Sequence, residues 1–345
     1  EDDFPHSDFL GELIGSYDDG PHAKLALDLV FNGDTFDFLK TDHEGRYPRH
    51  ISREVALSKL ARIAAAHPAF FVAIGRFLER DPGRRVYFVT GNHDAELFFP
   101  EVQRQLQSLC GDPARVVFPG LSLEIGQVWI EHGSQADPLF HVEEQRPLVL
   151  YQGEEVLNIS WGAAALLDTV MPLRSLLYFL DRLRPKNDVF QIMPEVRELL
   201  MGKMWSYWTR DYWQGWLSSG DPTKKLTWSM VKEVVSRLRS QDLEVPIAAE
   251  LERRLGASDH LLHVVGHAHE PVWRRIGGQK LLQTGCLRNE YLIAEAGRSL
   301  RPLPKTYAEV YLRGDLPVVS QLVEVEGPEP PPGYLPDSIF DVLPR

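Results

Sequence analysis

The sequence predicts an α/β protein, in which one large mixed core carries an inserted, mostly helical segment. Three observations lead there. Short apolar runs alternate with long stretches of helical spacing over the first third of the chain. Nearly every apolar run ends in a glycine followed by polar, chemically capable side chains. The rhythm is then broken between about residues 140 and 256 and resumes afterwards. At 345 residues the chain is long enough for one such core with an insertion.

The elements follow in order. Leu27 to Asn32 is an apolar run ending at Gly33, a buried strand that hands Asp34 to a loop. Glu54 to Leu78 carries Ala, Leu, Ile and Phe at helical spacing and is expected to be helical throughout. Val86 to Val89 is a second buried strand, ending at Gly91 and Asn92. In such a strand, helix, strand unit the carboxyl ends of the strands share one rim, where ligands collect. Val116 to Ile130 reads as a pair of strands turning at Ile125-Gly126-Gln127, with His132 directly after the second. Leu261 to Val265 opens into Gly266-His267-Ala268-His269. Segments around Lys280 to Gln283, Tyr291 to Ala294, Ala308 to Leu312 and Val318 to Val325 alternate as strands do, and Gly327 to Pro332 is expected to be extended. The division is therefore a core of residues 1–139 and 257–326, a helical cap of 140–256 without a clear buried strand, and a Pro-rich tail of 327–345.

Composition narrows the function. A net charge of −12 disfavours a dedicated nucleic-acid binder, whose affinity comes largely from Lys and Arg on backbone phosphates. Cys110 and Cys286 are the only cysteines, too few for a disulfide framework or a Cys-rich zinc site, and they fit a reducing cytoplasm. The stretch Glu1 to Asp8 lacks the basic start and apolar run of a signal peptide. The longest apolar stretch, Ala163 to Leu180, is interrupted by Asp168 and Arg174 and reads as a buried or interfacial helix, not a transmembrane span. A cytoplasmic location follows, with peripheral membrane contact as a variant of it.

Four short motifs carry the chemistry. Gly33-Asp34-Thr35-Phe36-Asp37 by itself is common turn chemistry. Gly91-Asn92-His93-Asp94 crowds three different polar side chains into one turn after a strand. Glu131-His132-Gly133 places a histidine at a third strand end. In Gly266-His267-Ala268-His269 the two imidazoles sit two residues apart, a spacing that on extended chain points both the same way.

The order and spacing of these motifs resemble the calcineurin-like metallophosphoesterase superfamily, whose pattern runs D-x-H, G-D-x-x-D, G-N-H-[DE], a lone His and G-H-x-H. Four of those five blocks stand here, and Gln283-Thr284-Gly285 is similar to the family's N-T-G. The resemblance implies a sandwich of two mixed β-sheets flanked by helices. It implies two divalent ions, Mn before Fe or Zn, that turn a bridging water into the attacking hydroxide. Carried over position by position, Asp34 bridges the ions, Asn92, His132 and His267 hold one, and His269 holds the other. His93 serves the leaving oxygen and Asp37 orients it. Oxygen and imidazole ligands suit those metals, and the lack of thiolates disfavours a soft-metal site.

The D-x-H block has no counterpart before Asp34. His6-Ser7-Asp8 has the order reversed, follows no apolar run and reads as a surface turn, so the first core strand is expected to precede Glu1. The insertion between His132 and His267 is similar in placement to that of the hydrolases of UDP-2,3-diacylglucosamine, which carry Arg where this chain has His93. The expected substrate is a small phosphorylated molecule, with nucleotide-sugar and lipid-linked ones in view. A nuclease of the same superfamily and a non-catalytic binding protein are the alternatives. Trp205, Tyr207, Trp208, Tyr212, Trp213, Trp216 and Trp228 are expected to pack the cap helices together. Arg146, Arg174, Arg182, Arg184, Arg210, Lys224 and Lys225 read as ordinary solvated charges among which a phosphate clamp could be built.

Overall fold

A computed structural model describes residues 4, 6–177, 179–207, 209, 220–224, 227–240, 247–294 and 299–328. The chain is mixed α/β. Three parallel strands, β1 (Asp28–Asn32), β2 (Arg85–Val89) and β3 (Val116–Gly120), form one sheet in that order. A second, mixed sheet contains β4 (Ser122–Ile125), β5 (Val128–Glu131), β9 (Leu262–Val265), β10 (Val272–Ile276) and β11 (Gln279–Gln283), in the order β10-β11-β9-β5-β4. Its centre, β5-β9-β11, is parallel and its outer pairs are antiparallel.

Strand periodicity explains how the two sheets meet. Successive side chains of β2 point to opposite faces. Val86 and Phe88 join the helical core with Leu60, Phe70, Ile74 and Val102. Tyr87 and Val89 instead pack with Leu123, Ile130, Leu262, Val264 and Leu282 of the second sheet. A strand covered on both faces must be apolar almost throughout, as Val86 to Val89 is.

The helical layer over the first sheet is α1 (Ser7–Gly15), α2 (Arg53–Ala66), α3 (Pro68–Arg80) and α4 (Pro100–Cys110). The single helix expected over Glu54 to Leu78 is two, separated at His67. Pro68 is the cause: without an N–H and with its φ fixed, it suits the first turn of a new helix and not the interior of an old one. The surface turn expected at His6-Ser7-Asp8 is the start of α1 instead, whose Leu10 and Ile14 are buried against the core. Lys59 of α2 and Glu96, both buried, form an ion pair of 3.1 Å that ties this helix to the loop after Asp94.

Between residues 140 and 256, where no clear buried strand is expected, the described residues include short, half-buried strands. The hairpin β6 (Leu148–Tyr151) and β7 (Glu154–Leu157) lies there, with Gln152 at φ 50° and Gly153 at φ 87°, the two left-handed residues a tight hairpin turn demands. Short β8 (Leu183–Arg184) joins β12 (Tyr291–Ala294) and β13 (Ser299–Pro302) in a small sheet. Helix α5 (Trp161–Thr169) is capped by Ser160, whose Oγ accepts from the Ala163 N–H, and its Ala163, Ala164 and Leu167 enter the same core as α1 to α4. The buried-helix reading of the long apolar stretch holds for α5; no single helix among the described residues is long and apolar enough to cross a membrane. Val116 to Ile130 is also more than a pair of strands, because β3 stays in the first sheet while β4 and β5 start the second.

The expected aromatic packing is split. Tyr207 is buried against Trp161, whereas Trp205 and Trp228 are exposed, at 57% and 73%. Trp208, Tyr212, Trp213 and Trp216 lie outside the described residues, as do Arg210, Lys225 and the Pro-rich tail beyond residue 328. The last elements among the described residues are the hairpin strands β14 (Lys305–Arg313) and β15 (Leu316–Val325).

Candidate metal centre

β1, β2, β5 and β9 deliver Asp34, Asn92, His132 and His267 to one rim, as the sequence predicts from their strand ends. The loops there are tightly drawn. Asp34, His267 and His269 adopt φ of 51°, 68° and 57°, a left-handed backbone that non-glycine residues seldom take and that clusters at functional sites. Gly33 is irreplaceable for a second reason: at φ +80° a side chain there would place its Cβ 2.5 Å from the His132 ring.

His132 Nε2 is the centre of the group. It lies 3.1 Å from Asp34 Oδ2, 3.2 Å from Asn92 Oδ1 and 3.3 Å from His267 Nδ1. One ring nitrogen cannot bond to three partners at once, and the two oxygens among these four atoms are lone-pair donors whatever the tautomer. Four ligands around a cation at about 2.0–2.1 Å would stand roughly 3.3 Å apart, so the observed separations match a coordination shell. His132 Nδ1 donates to the Asn32 carbonyl at 2.9 Å, which fixes the tautomer that leaves Nε2 free to ligate.

Burial opposes protonation of His132, but the Asp34 carboxylate beside it raises the imidazole, so ligation through Nε2 would release a proton. Burial works to raise the Asp34 carboxyl, but the His132 and His93 imidazoles hold it well below the usual range. Burial, then the neighbouring His132, pushes His267 down to about 3, so that it stays a neutral ligand at physiological pH. Asp94 fastens two of the loops, accepting from the Gly91 N–H at 2.5 Å and the Thr35 N–H at 2.9 Å. Burial and the nearby Asp34 charge lift its carboxyl to about 7.

His93 and Asp37 stand beside this group as a pair. His93 Nδ1 donates to Asp37 Oδ1 at 2.9 Å, and the His93 backbone N–H donates to Asp34 Oδ1 at 2.8 Å. Burial lowers the imidazole's affinity for protons, yet the Asp37 and Asp34 carboxylates outweigh it and hold His93 at about 9. It is therefore protonated near neutral pH. Both residues line the same cleft as Asp34, Asn92, His132 and His267.

His269 joins a different group. Its Nδ1 lies 2.8 Å from Glu290 Oε1, and Cys286 completes a second cluster of closely spaced ligand atoms. Cys286 thus offers a thiol where the sequence predicts only oxygen and imidazole ligands, although burial pushes that thiol up to about 12. Arg184 and Arg288 both bind Glu290, at 2.6 and 2.8 Å. Arg288, Lys40 and Lys186 surround Asp181, at 2.9, 3.0 and 2.8 Å. Arg184, one of the cations singled out from the sequence, stands in this group; Glu290 and Cys286 beside His269, and Lys40, Lys186 and Arg288 around Asp181, carried no site signal, because they lie far apart in the chain. Compared with models of known protein families and with curated proteins, the chain matches none.

Proposed function

We propose that the protein is a metal-dependent hydrolase of phosphoester or pyrophosphate bonds, of the calcineurin-like metallophosphoesterase type with its two-sheet sandwich. The observation that carries the reading is the group of four ligand atoms made by His132 Nε2 and the Asp34, Asn92 and His267 atoms 3.1–3.3 Å from it, flanked by the His93–Asp37 pair. Asp34, Asn92, His132 and His267 would hold one divalent ion and His269, with Glu290 or Cys286, a second. Oxygen and imidazole donors favour Mn, Fe or Zn at the first. Ions so held supply Lewis-acid polarisation of a phosphoryl oxygen and activate water near neutral pH.

The chain's own groups do the rest. His93 is placed to give a proton to the leaving oxygen, and Asp37 keeps that proton on the imidazole and fixes the ring's direction. Asp94 holds the loops of Asp34 and Asn92 at a constant separation. Lys40, Arg184, Lys186 and Arg288 form a cationic wall suited to a phosphorylated substrate small enough for the cleft. The net charge argues against nucleic acid as that substrate.

A panel of a phosphomonoester, a phosphodiester and a nucleotide-sugar pyrophosphate, each assayed with Mn, Fe and Zn, tests this. Turnover of one class, abolished by chelation and restored by metal, is expected. Absence of turnover across the panel would favour a binding protein that uses the same fold.

A further inference from the structure

β5 and β9 lie side by side and parallel, with Trp129 opposite His263 and Glu131 opposite Val265. Each leads to a ligand of the metal centre, β5 running directly into His132 and β9 reaching His267 through Gly266. The pairing continues past the strands, because the Gly266 N–H donates to the His132 carbonyl at 2.8 Å. How these two strands sit against each other therefore sets where two of the four ligands stand.

Side chains alternate along a strand, so the two faces of this pair hold different residues. Ile130 and Val264 face the first sheet and pack with Tyr87 and Val89. Trp129, Glu131, His263 and Val265 face the other way, where the helix Ala248–Gly256 covers the sheet through Leu251 and Leu255. Glu131 and His263 are 1% and 2% exposed there. A carboxylate buried so deeply needs partners on its oxygens. Glu131 has one on each. His263 Nε2 donates to Oε1 at 2.9 Å, and Arg254 Nη2 donates to Oε2 at 2.9 Å. One acid thus ties together its own strand, the neighbouring strand and the helix. Arg254 makes no other ion pair among the described residues, and its Cζ lies 5.9 Å from the centre of the Trp129 ring, so Glu131 and Trp129 decide where the guanidinium sits. The chain enters this helix from the cleft, which Ile247 and Ala248 line.

We infer that Glu131 is a positioning residue for the metal centre: by bridging His263 and Arg254 on the far face of the sheet, its carboxylate fixes how the ends of β5 and β9 lie against each other and so holds His132 and His267 at ligating distance. The inference rests on the metal centre proposed above. The backbone ladder sets the register in whole residues, and the apolar contacts on the near face are non-directional. The two bonds to Glu131 are directional, and they remove the freedom of shear and twist that remains. They act one residue before His132 and four before His267, whose Nε2 and Nδ1 stand 3.3 Å apart. Glu131 touches neither ligand's ring nitrogen pair and acts through the strands alone.

Two variants of the whole chain test this. Glu131→Gln keeps the shape of the side chain and removes its charge. Glu131→Leu/His263→Phe/Arg254→Met removes the polar groups together and leaves no buried charge unpaired. Urea unfolding reports stability, calorimetric titration reports Mn affinity, and the visible absorption of the Co(II)-loaded chain reports ligand geometry. Disturbing one member of a buried ionic set destabilises, whereas replacing the whole set by apolar groups of similar volume is near neutral. The urea midpoint should therefore fall in Glu131→Gln and return to the parent's in the triple variant. Mn affinity should fall by at least ~10-fold in both, the scale of losing a group that orients a metal ligand, and the Co(II) spectrum should shift. Parental Mn affinity with an unchanged Co(II) spectrum in the triple variant would overturn the inference and leave Glu131 a stabilising group alone. If the triple variant does not fold, Arg254→Met decides by the same two readouts: lowered affinity with a shifted spectrum supports the inference, and parental values overturn it. A parent chain that takes up neither Mn nor Co(II) would overturn the metal centre and this inference with it, and its own titration distinguishes that outcome from the others.

Discussion

Gly91→Ala is the sharpest probe of how the site is held. Gly91 lies in the loop just after β2 and has no positive φ, so the substitution brings no left-handed strain and acts through volume alone. A Cβ at this position would stand 2.2 Å from Asp34 Oδ1 and 2.5 Å from the Asp34 backbone nitrogen. An ordinary contact needs 3.4 Å or more, so about 1 Å of movement is forced on a residue whose backbone is itself the obstacle. Overpacking of this kind costs about 1–3 kcal/mol of stability. A displacement of 1 Å at a positioning residue costs on the order of 10²-fold in rate. Turnover and Mn affinity are measured by the chelator-reversible assay and calorimetry, with urea unfolding alongside. Gly111→Ala is the control: Gly111 caps α4 at φ +82° with open space around it, so it should lose about 1–2 kcal/mol and no metal affinity. Metal affinity and rate in Gly91→Ala within threefold of the parent would refute the claim that Asp34 must sit where this loop puts it.

Three further outcomes follow. His93→Ala should retain metal while losing about 10²–10⁴-fold in turnover, because it removes a proton donor and no ligand; metal loss in parallel with activity would make it a ligand instead. Lys59→Met should cost about 3–5 kcal/mol in urea unfolding by leaving Glu96 buried and unpaired, and Lys59→Met/Glu96→Leu should recover most of that loss; equal losses in the two variants would show that the pair itself stabilises. Burial lowers Lys305 to about 8, although Leu287 O and Asn289 Oδ1 accept from its ammonium at 2.6 and 2.7 Å. The folded state then binds fewer protons than the unfolded one between about 8 and the ordinary lysine value of 10.5, so stability should rise with pH across that window. Lys305→Met should flatten the rise, and an unchanged slope would contradict the assignment.

The sequence made the strand ends legible because three are apolar runs that stop at glycine, with Asp34, Asn92 and His267 just beyond, and the fourth runs directly into His132-Gly133. Their convergence was readable without knowing the sheet order, since parallel strands present their carboxyl ends together. The helix break at Pro68 and the Gln152-Gly153 turn were also written in local chemistry, but the surrounding helical spacing concealed both. What could not be read locally is pairing between distant segments. Glu290 and Cys286 reach His269 because β11 lies parallel to β9, and nothing in the spacing of these residues announces that register. The same holds for β3, whose pattern resembles that of β4 and β5 although it belongs to the other sheet.

Metal binding by the purified chain bears most directly on the account. Elemental analysis and Mn titration should find at least one divalent ion per chain, and His132→Ala should abolish the site built around its Nε2 while the protein stays folded by circular dichroism. A chain that binds no divalent ion at millimolar concentration, or a His132→Ala variant that binds as the parent does, would contradict it.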